Sequence, residues 1–353
     1  MLIRSSPFNR FMSNIEEEFK LIDNETNYWL VRTMGGNFYE EFVDKGYIAI
    51  GYNEITVDDL LYLPTKEKMA KKVLQAMISD RKDGLKNTSY PVGQLMRFSK
   101  GMKRGDIIIV PSSSSHKLSF GVIESDMYEE THNIHAAYGC PFTKRRNVKW
   151  IRTADRYKLP AELQLMFNSR HIISEVKSYS QHIDSFLNDF YTKDGMTYLV
   201  LRVKQQDTLS ADDFTLVADL MQLFNDYSCE FDLGITSKDI KMKISVQSPG
   251  DILAYATSPE GIAVLGLFIM FIKGGTFKID CEAFHMSIET PTIGGMFSKI
   301  GHTVTEFLNE SEKRKTIEAL RNKLNNMDIE TPGAILEIMD KLAGGNDNPK
   351  ELE

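Results

Sequence analysis

"VGQLMRFSKGMKRGDIIIVPS", residues 92–112, joins an apolar and basic stretch to a Gly105-Asp106 turn and then to a run of branched apolar residues. Val92, Leu95, Met96 and Phe98 recur at helical spacing, so residues 89–102 predict a helix with one apolar face. Residues 106–111, DIIIVP, lack polar alternation, and the strand they predict must be covered on both faces. Shorter strands surround it: YWLVRT at 28–33, YIAIGY at 47–52, KLSFGVIES at 117–125 and NVKWIRT at 147–153. Phe38, Phe42 and Val43 predict a helix closed by Gly46. Residues 57–83 read as acidic then basic helical segments, and 158–178 as a helical or irregular closing segment. Several short strands with few helices predict a small, partly open β-barrel.

Beyond residue 196 the pattern changes. A strand at 197–204 precedes a capped amphipathic helix at 210–228, a strand at 241–250, the apolar segment 251–272, a strand-like stretch at 276–291 and a charged helix at 303–327. The expected fold class is α+β: a small N-terminal barrel with flanking helices, plus a C-terminal α/β domain of alternating strands and helices. The expected boundaries are an arm at 1–26, the barrel at 27–178, a linker at 179–195, the α/β domain at 196–342 and a disordered tail at 343–353.

A chain of 353 residues is longer than one core usually serves, which supports two domains. Three scattered cysteines, Cys140, Cys229 and Cys281, argue against a disulfide framework and fit a reducing cytoplasm. The first nineteen residues carry no apolar run of signal-peptide length. The most apolar run, residues 261–272, is too short to span a bilayer and reads as core. The net charge of −7 is unevenly spread. Residues 1–190 carry 26 basic against 24 acidic side chains, and the remainder 16 against 25.

Catalytic signatures are weak. Asp232, Asp239 and Lys241 are the nearest approach to a metal-dependent nuclease set. His132 and His135 have no cysteine pair at zinc spacing. There is no phosphate-binding P-loop and no serine nucleophile elbow, so neither catalysis nor a cofactor is expected. Binding is better supported. The cluster Arg97, Lys100, Lys103 and Arg104 and the cluster Lys144, Arg145, Arg146, Lys149, Arg152 and Arg156 are interleaved with Phe98, Phe142, Trp150 and Tyr157. Basic groups neutralise phosphates and aromatic faces stack on bases, a mixture suited to nucleic acid.

The order of these motifs adds to that reading. YWLVRTMGGNFYEEFVDKGYIAIGY, then PVGQLMRFSKGMKRGDIIIVPS, SFGVIESDMYEE and RRNVKWIR resemble the N-terminal module of Mrr-like restriction endonucleases, a PUA-superfamily domain similar to EVE and YTH domains. The resemblance covers residues 27–176. It implies a β-barrel whose pocket accepts an extruded, often modified, base. Carried over, the pocket would be lined by Trp29, Gly51, Tyr52, Gln94, Phe98, Pro111 and Ser112. The family usually has tryptophan where Tyr52 stands. Arg97, Lys100, Lys103, Arg104, Lys144, Arg145 and Arg146 would meet phosphate, while Asp106 fixes the turn. Residues 196–340 carry no nuclease motif of that family.

The sequence therefore predicts a cytoplasmic DNA or RNA reader of modified bases in a prokaryotic defence system. The C-terminal domain would carry the output or assemble a homo-oligomer, without stable membrane insertion. The rivals are a diverged metal-dependent nuclease and an effector acting on membranes through residues 251–272.

Overall fold

A computed structural model describes residues 20–81, 88–131, 139–204, 211–244, 251–273, 303–304, 306–330 and 332–333. Most of the N-terminal arm, His132, His135, Cys281, the 276–291 stretch and the tail lie outside the described residues. The fold is α+β, with contacts dividing the chain into two compact units. Glu25–Leu187 form one, and the described residues before and after it form the other.

In chain order the first elements are β1 (Lys20–Leu21), β2 (Tyr28–Val31), α1 (Tyr39–Asp44), β3 (Tyr47–Ile50), α2 (Val57–Leu61) and α3 (Glu67–Arg81). Next come α4 (Ser89–Met96), which runs on through a π-type turn at Arg97–Gly101, then β4 (Ile107–Pro111), β5 (Lys117–Ile123), β6 (Tyr128–Glu129) and β7 (Lys144–Asp155). A short helix α5 (Ala161–Gln164), β8 (Ile173–Glu175) and α6 (Ser180–Leu187) complete the 25–187 unit.

That unit is built on a curled sheet of order β3-β7-β5-β4-β2-β8, with β6 added on β7. β2 runs parallel to β4, pairing Trp29 with Ile108, and the other pairings are antiparallel. Both faces of the central strands are buried, as the unbroken apolar run requires. Trp29, Val31, Ile108 and Val110 enter the core under the helices, with Phe42, Leu74, Leu95 and Phe98. Tyr28, Leu30 and Ile109 enter a second core with Phe120, Leu163, Met166 and Ile183. β8 has no counterpart in the sequence reading, because its three residues are too few to show a period.

The long strand β7 makes the curl. Its first half pairs with β3 and its second half with β5, and the register slips between Phe120 and Gly121, where β7 carries an extra residue, Ile151. Such a bulge bends the strand and increases its twist. A Cβ on Gly121 would lie 2.5 Å from Val148 and 2.9 Å from the Lys149 carbonyl. Gly121→Ala is expected to cost about 2 kcal/mol, since backbone must move to admit the methyl. Urea unfolding read by tryptophan fluorescence measures it, because both tryptophans, Trp29 and Trp150, lie in this unit. A cost under about 0.5 kcal/mol would show that the bulge yields freely.

The other unit holds β9 (Phe190–Lys193), β10 (Met196–Leu201), α7 (Ala211–Glu230), β11 (Lys241–Ile244), β12 (Ile252–Ala256), α8 (Pro259–Ile272) and α9 (Arg314–Asn326). Residues 179–195, expected as a linker, contain α6 and β9, with Ile183 and Phe186 in one core and Phe190 in the other. The strands pair in the order β1-β9-β10-β12-β11, antiparallel except for β1 with β9. The apolar run is helix α8, capped by Ser258, whose hydroxyl accepts from Gly261 N–H at 3.1 Å, and begun by Pro259. It is buried on nearly all sides among Leu220, Phe224, Tyr227 and Leu320. Among the described residues no helix is long and apolar enough to cross a membrane.

Candidate functional site

In the 25–187 unit the loop after β2 touches the loop after β4, and Phe142, just before β7, bridges the loop after β2 to the loop after β3. Thr33 Oγ1 donates to the Pro111 carbonyl at 2.7 Å. Gly36, at φ +102°, lies so close to Ser113 that a Cβ there would be 2.2 Å from its nitrogen. Phe38 meets Phe142 edge to face at 5.3 Å, and Phe142 covers Gly51, 3.2 Å from the position of a Cβ there. All four non-glycine residues of this unit's described part with left-handed backbone lie in these loops: Met34 (φ 52°), Tyr52 (φ 62°), Ser114 (φ 51°) and Ser115 (φ 56°). Each costs on the order of 1 kcal/mol, and such strain gathers where binding loops are shaped by their surroundings.

Tyr52 is half-buried, and burial pushes its phenol above the usual tyrosine range. Its backbone is held from below by Lys144, whose ammonium is wholly buried and donates to the Tyr52 carbonyl at 2.9 Å and the Ile55 carbonyl at 2.8 Å. Burial lowers Lys144 to about 8, against the opposing pull of Glu129, Glu54 and Asp59. Nearby, the Tyr90 ring stacks on His171 at 5.6 Å, and its hydroxyl accepts from Ile172 N–H at 3.1 Å. Arg32 donates to the Phe167 and Ser169 carbonyls, while its Nε is buried without a partner among the described residues.

The structure separates the expected pocket residues. Gly51, Tyr52 and Ser112 are half-buried on the loops. Pro111 is buried, with its carbonyl taken by Thr33. Ser112 Oγ accepts from Lys117 N–H at 2.8 Å, closing the β4–β5 connection. Trp29, Gln94 and Phe98 are buried. Trp29 is a core side chain whose indole N–H donates to Asp106 at 2.9 Å, and Gly101 lets the π-type turn approach its ring. Gln94 is buried and accepts from Ile173 N–H at 2.7 Å. Phe98 is wholly buried.

The basic residues divide in the same way. Lys100, Lys103 and Arg104 are exposed, with Arg104 paired to Asp126 at 3.0 Å. Arg97 is half-buried and donates to the Ile173 carbonyl at 3.3 Å. Lys144, Arg145 and Arg146 are buried on the first three positions of β7, where their cationic groups hold backbone carbonyls. Arg145 lies 4.2 Å over the Tyr47 ring, donates to the Phe142 and Cys140 carbonyls and pairs with Glu130. Arg146 donates to the Phe98 and Ser99 carbonyls at the end of the π-type turn, where helix carbonyls lack intrahelical partners. Its burial lowers its guanidinium below the usual arginine range.

Asp106 performs the turn-fixing role expected of it. It is wholly buried and accepts from the N–H groups of Asn27 and Lys103, both at 3.0 Å, besides the Trp29 indole. Thr33, Met34, Tyr90, Phe142 and His171 were not singled out for the pocket by sequence reasoning. In the sequence only the glycine pair Gly35-Gly36 marks the first loop. The nuclease candidates form no metal cluster: Asp239 accepts from Thr236 in a local turn, Asp232 follows α7 in left-handed backbone, and Lys241 lies on edge strand β11. Among the described residues no group of three or more metal-ligating side chains occurs.

No curated protein matches the chain. The YTH domain of the Zygosaccharomyces rouxii MRB1 protein, solved in complex with N6-methyladenosine RNA, is similar over 47% of this chain and 89% of its own, at 11% identity and a TM-score of 0.26. A likeness at that score does not bear on fold or ligand. Residues 28–170, lying within the 25–187 unit, match the family model described as a domain of unknown function, DUF8426.

Proposed function

We propose that the 25–187 unit binds DNA or RNA by admitting one extruded base, a modified base above all, at the loops after β2, β3 and β4. The observation that carries this reading is that Met34, Tyr52, Ser114 and Ser115, all in left-handed backbone, lie on the loops after β2 and β4, which touch, and on the loop after β3, which Phe142 joins to them. Extrusion costs a few kcal/mol, which aromatic stacking and hydrogen bonds to the base edge can recover. Phe38 and Tyr52 on these loops and Phe142 between them are partly exposed aromatics, and Arg32 Nε is a donor without a partner among the described residues. The resemblance to the PUA superfamily supports the same reading. Exposed Lys100 and Lys103 remain as a phosphate shoulder. The remaining unit would carry the output, or assemble a homo-oligomer, in a cytoplasmic defence protein.

The test is a binding screen of the full chain against single-stranded DNA and RNA oligonucleotides with and without modified bases. Tyr52→Gly removes the ring while suiting the left-handed backbone, so the loop keeps its path. Affinity for the preferred oligonucleotide is expected to fall tenfold to a hundredfold, the worth of one stacked base. Unchanged affinity would remove Tyr52 from the site, and a wild-type protein that binds no oligonucleotide at low salt would end the reading.

A further inference from the structure

A recess of 270 Å³ is lined by Lys117, at the start of β5, and by Arg152, Asp155, Lys158 and Phe186 among others. Lys117 joins it to the candidate site, since its backbone exchanges two hydrogen bonds with Ser112, at 2.9 Å and 2.8 Å. The recess carries three cations against one carboxylate, and Asp155 is engaged with Lys158 at 3.5 Å. Arg152 is already positioned: its guanidinium lies 4.2 Å over the Phe186 ring and donates to the Phe186 carbonyl. A guanidinium held by a ring and a carbonyl gives up little freedom when an anion arrives.

Beside these cations stands Tyr157, which is 75% exposed and lies under the Lys158 ammonium at 5.6 Å. A large aromatic left in water next to a cationic recess is a surface on which a base can stack. We propose that this recess is a phosphate subsite for nucleic acid, with Tyr157 stacking on the nucleotide that carries the phosphate. The proposal rests on the reading of the 25–187 unit as a nucleic-acid binder. It adds a place outside the three loops where the polymer is held without regard to sequence. The phosphate chemistry would also suit a free nucleotide, so the two sources are compared directly.

The experiment uses the full chain and the double variant Lys117→Gln/Lys158→Gln, both positions being exposed. Affinity for a labelled single-stranded oligonucleotide is expected to fall about tenfold, and the dependence of log affinity on log salt to lessen by about 1, since each phosphate contact on a single strand contributes roughly 0.7. The ratio of affinities for modified and unmodified oligonucleotides should not change, whereas Tyr52→Gly should change that ratio. Pyrophosphate titrated into wild type should shift the Lys117, Thr153 and Asp155 amide resonances, and the double variant should abolish the shift. If wild type shows this shift but binds no oligonucleotide, the recess stands and the base-reading proposal falls alone. If the double variant keeps full affinity, salt slope and pyrophosphate response, the recess is overturned while a base preference would leave the other proposal in place. A mononucleotide bound as tightly as the oligonucleotide would overturn the assignment to the polymer.

Discussion

Replacing Asp106 by alanine is expected to destabilise the 25–187 unit by about 4 kcal/mol, because three buried or partly buried N–H groups lose their acceptor together. One carboxylate ties the Trp29 indole, the Asn27 amide and the Lys103 amide to the turn that launches β4. Its loss leaves a donor in the core beneath the π-type turn and frees the entry of the strand on which β2 and β5 both pair. Asp106→Asn keeps the shape and one carbonyl oxygen but turns a second donor toward these N–H groups, so about half the cost should remain. Urea unfolding followed by tryptophan emission measures both, and Trp29 emission should also move to longer wavelength before the main transition. If the alanine variant loses less than about 1 kcal/mol, Asp106 is not the tie described.

Lys144→Met is the second large effect. Two buried carbonyls, those of Tyr52 and Ile55, lose their donor, at a cost of about 3 kcal/mol near neutral pH, offset in part by no longer burying a charge. The effect depends on pH in a stated direction. In the unfolded chain the ammonium keeps its proton to about pH 10.4, and in the fold it releases it near 8, chiefly because it is buried. Between these values the unfolded chain binds more protons, so this group adds stability as pH rises from 8 towards 10. The methionine variant lacks that gain, and the gap between the two proteins should widen by about 2 kcal/mol over the interval. Burial also raises Tyr52 and Tyr47, which act in the opposite sense above pH 10, so the comparison ends there. A gap that stays constant or narrows would contradict a buried, proton-releasing Lys144. The same variant should loosen Tyr52, and it is expected to bind oligonucleotide more weakly at pH 7.

These side chains show why some of the site was legible before folding and some was not. The strand at 106–111, the helix at 89–102 and the turn role of Asp106 follow from local spacing, which residues close in sequence decide among themselves. Loops carrying Gly51, Tyr52 and Ser112 were also reachable, because they end strands that the pattern reveals. The burial of Lys144, Arg145 and Arg146 was not legible, because a basic triplet at the edge of a strand looks the same whether it faces water or the interior. Their burial is offset by backbone carbonyls: those of Tyr52 and Ile55 for Lys144, of Cys140 and Phe142 for Arg145, and of Phe98 and Ser99 for Arg146.

The sequence by itself determined the α+β class, the doubly buried central strand, the buried apolar segment that becomes α8, and the absence of a P-loop, serine elbow or zinc-spaced cysteine motif. Only the tertiary structure decided that Trp29 braces the core while Tyr52 lies half-buried on a loop, and that the loops carrying left-handed backbone are linked by direct contact or through Phe142. The physical reason is the range of the forces. Periodicity and turn chemistry act within a few residues, whereas burial, strain and the pairing of a charge depend on which distant backbone closes over it.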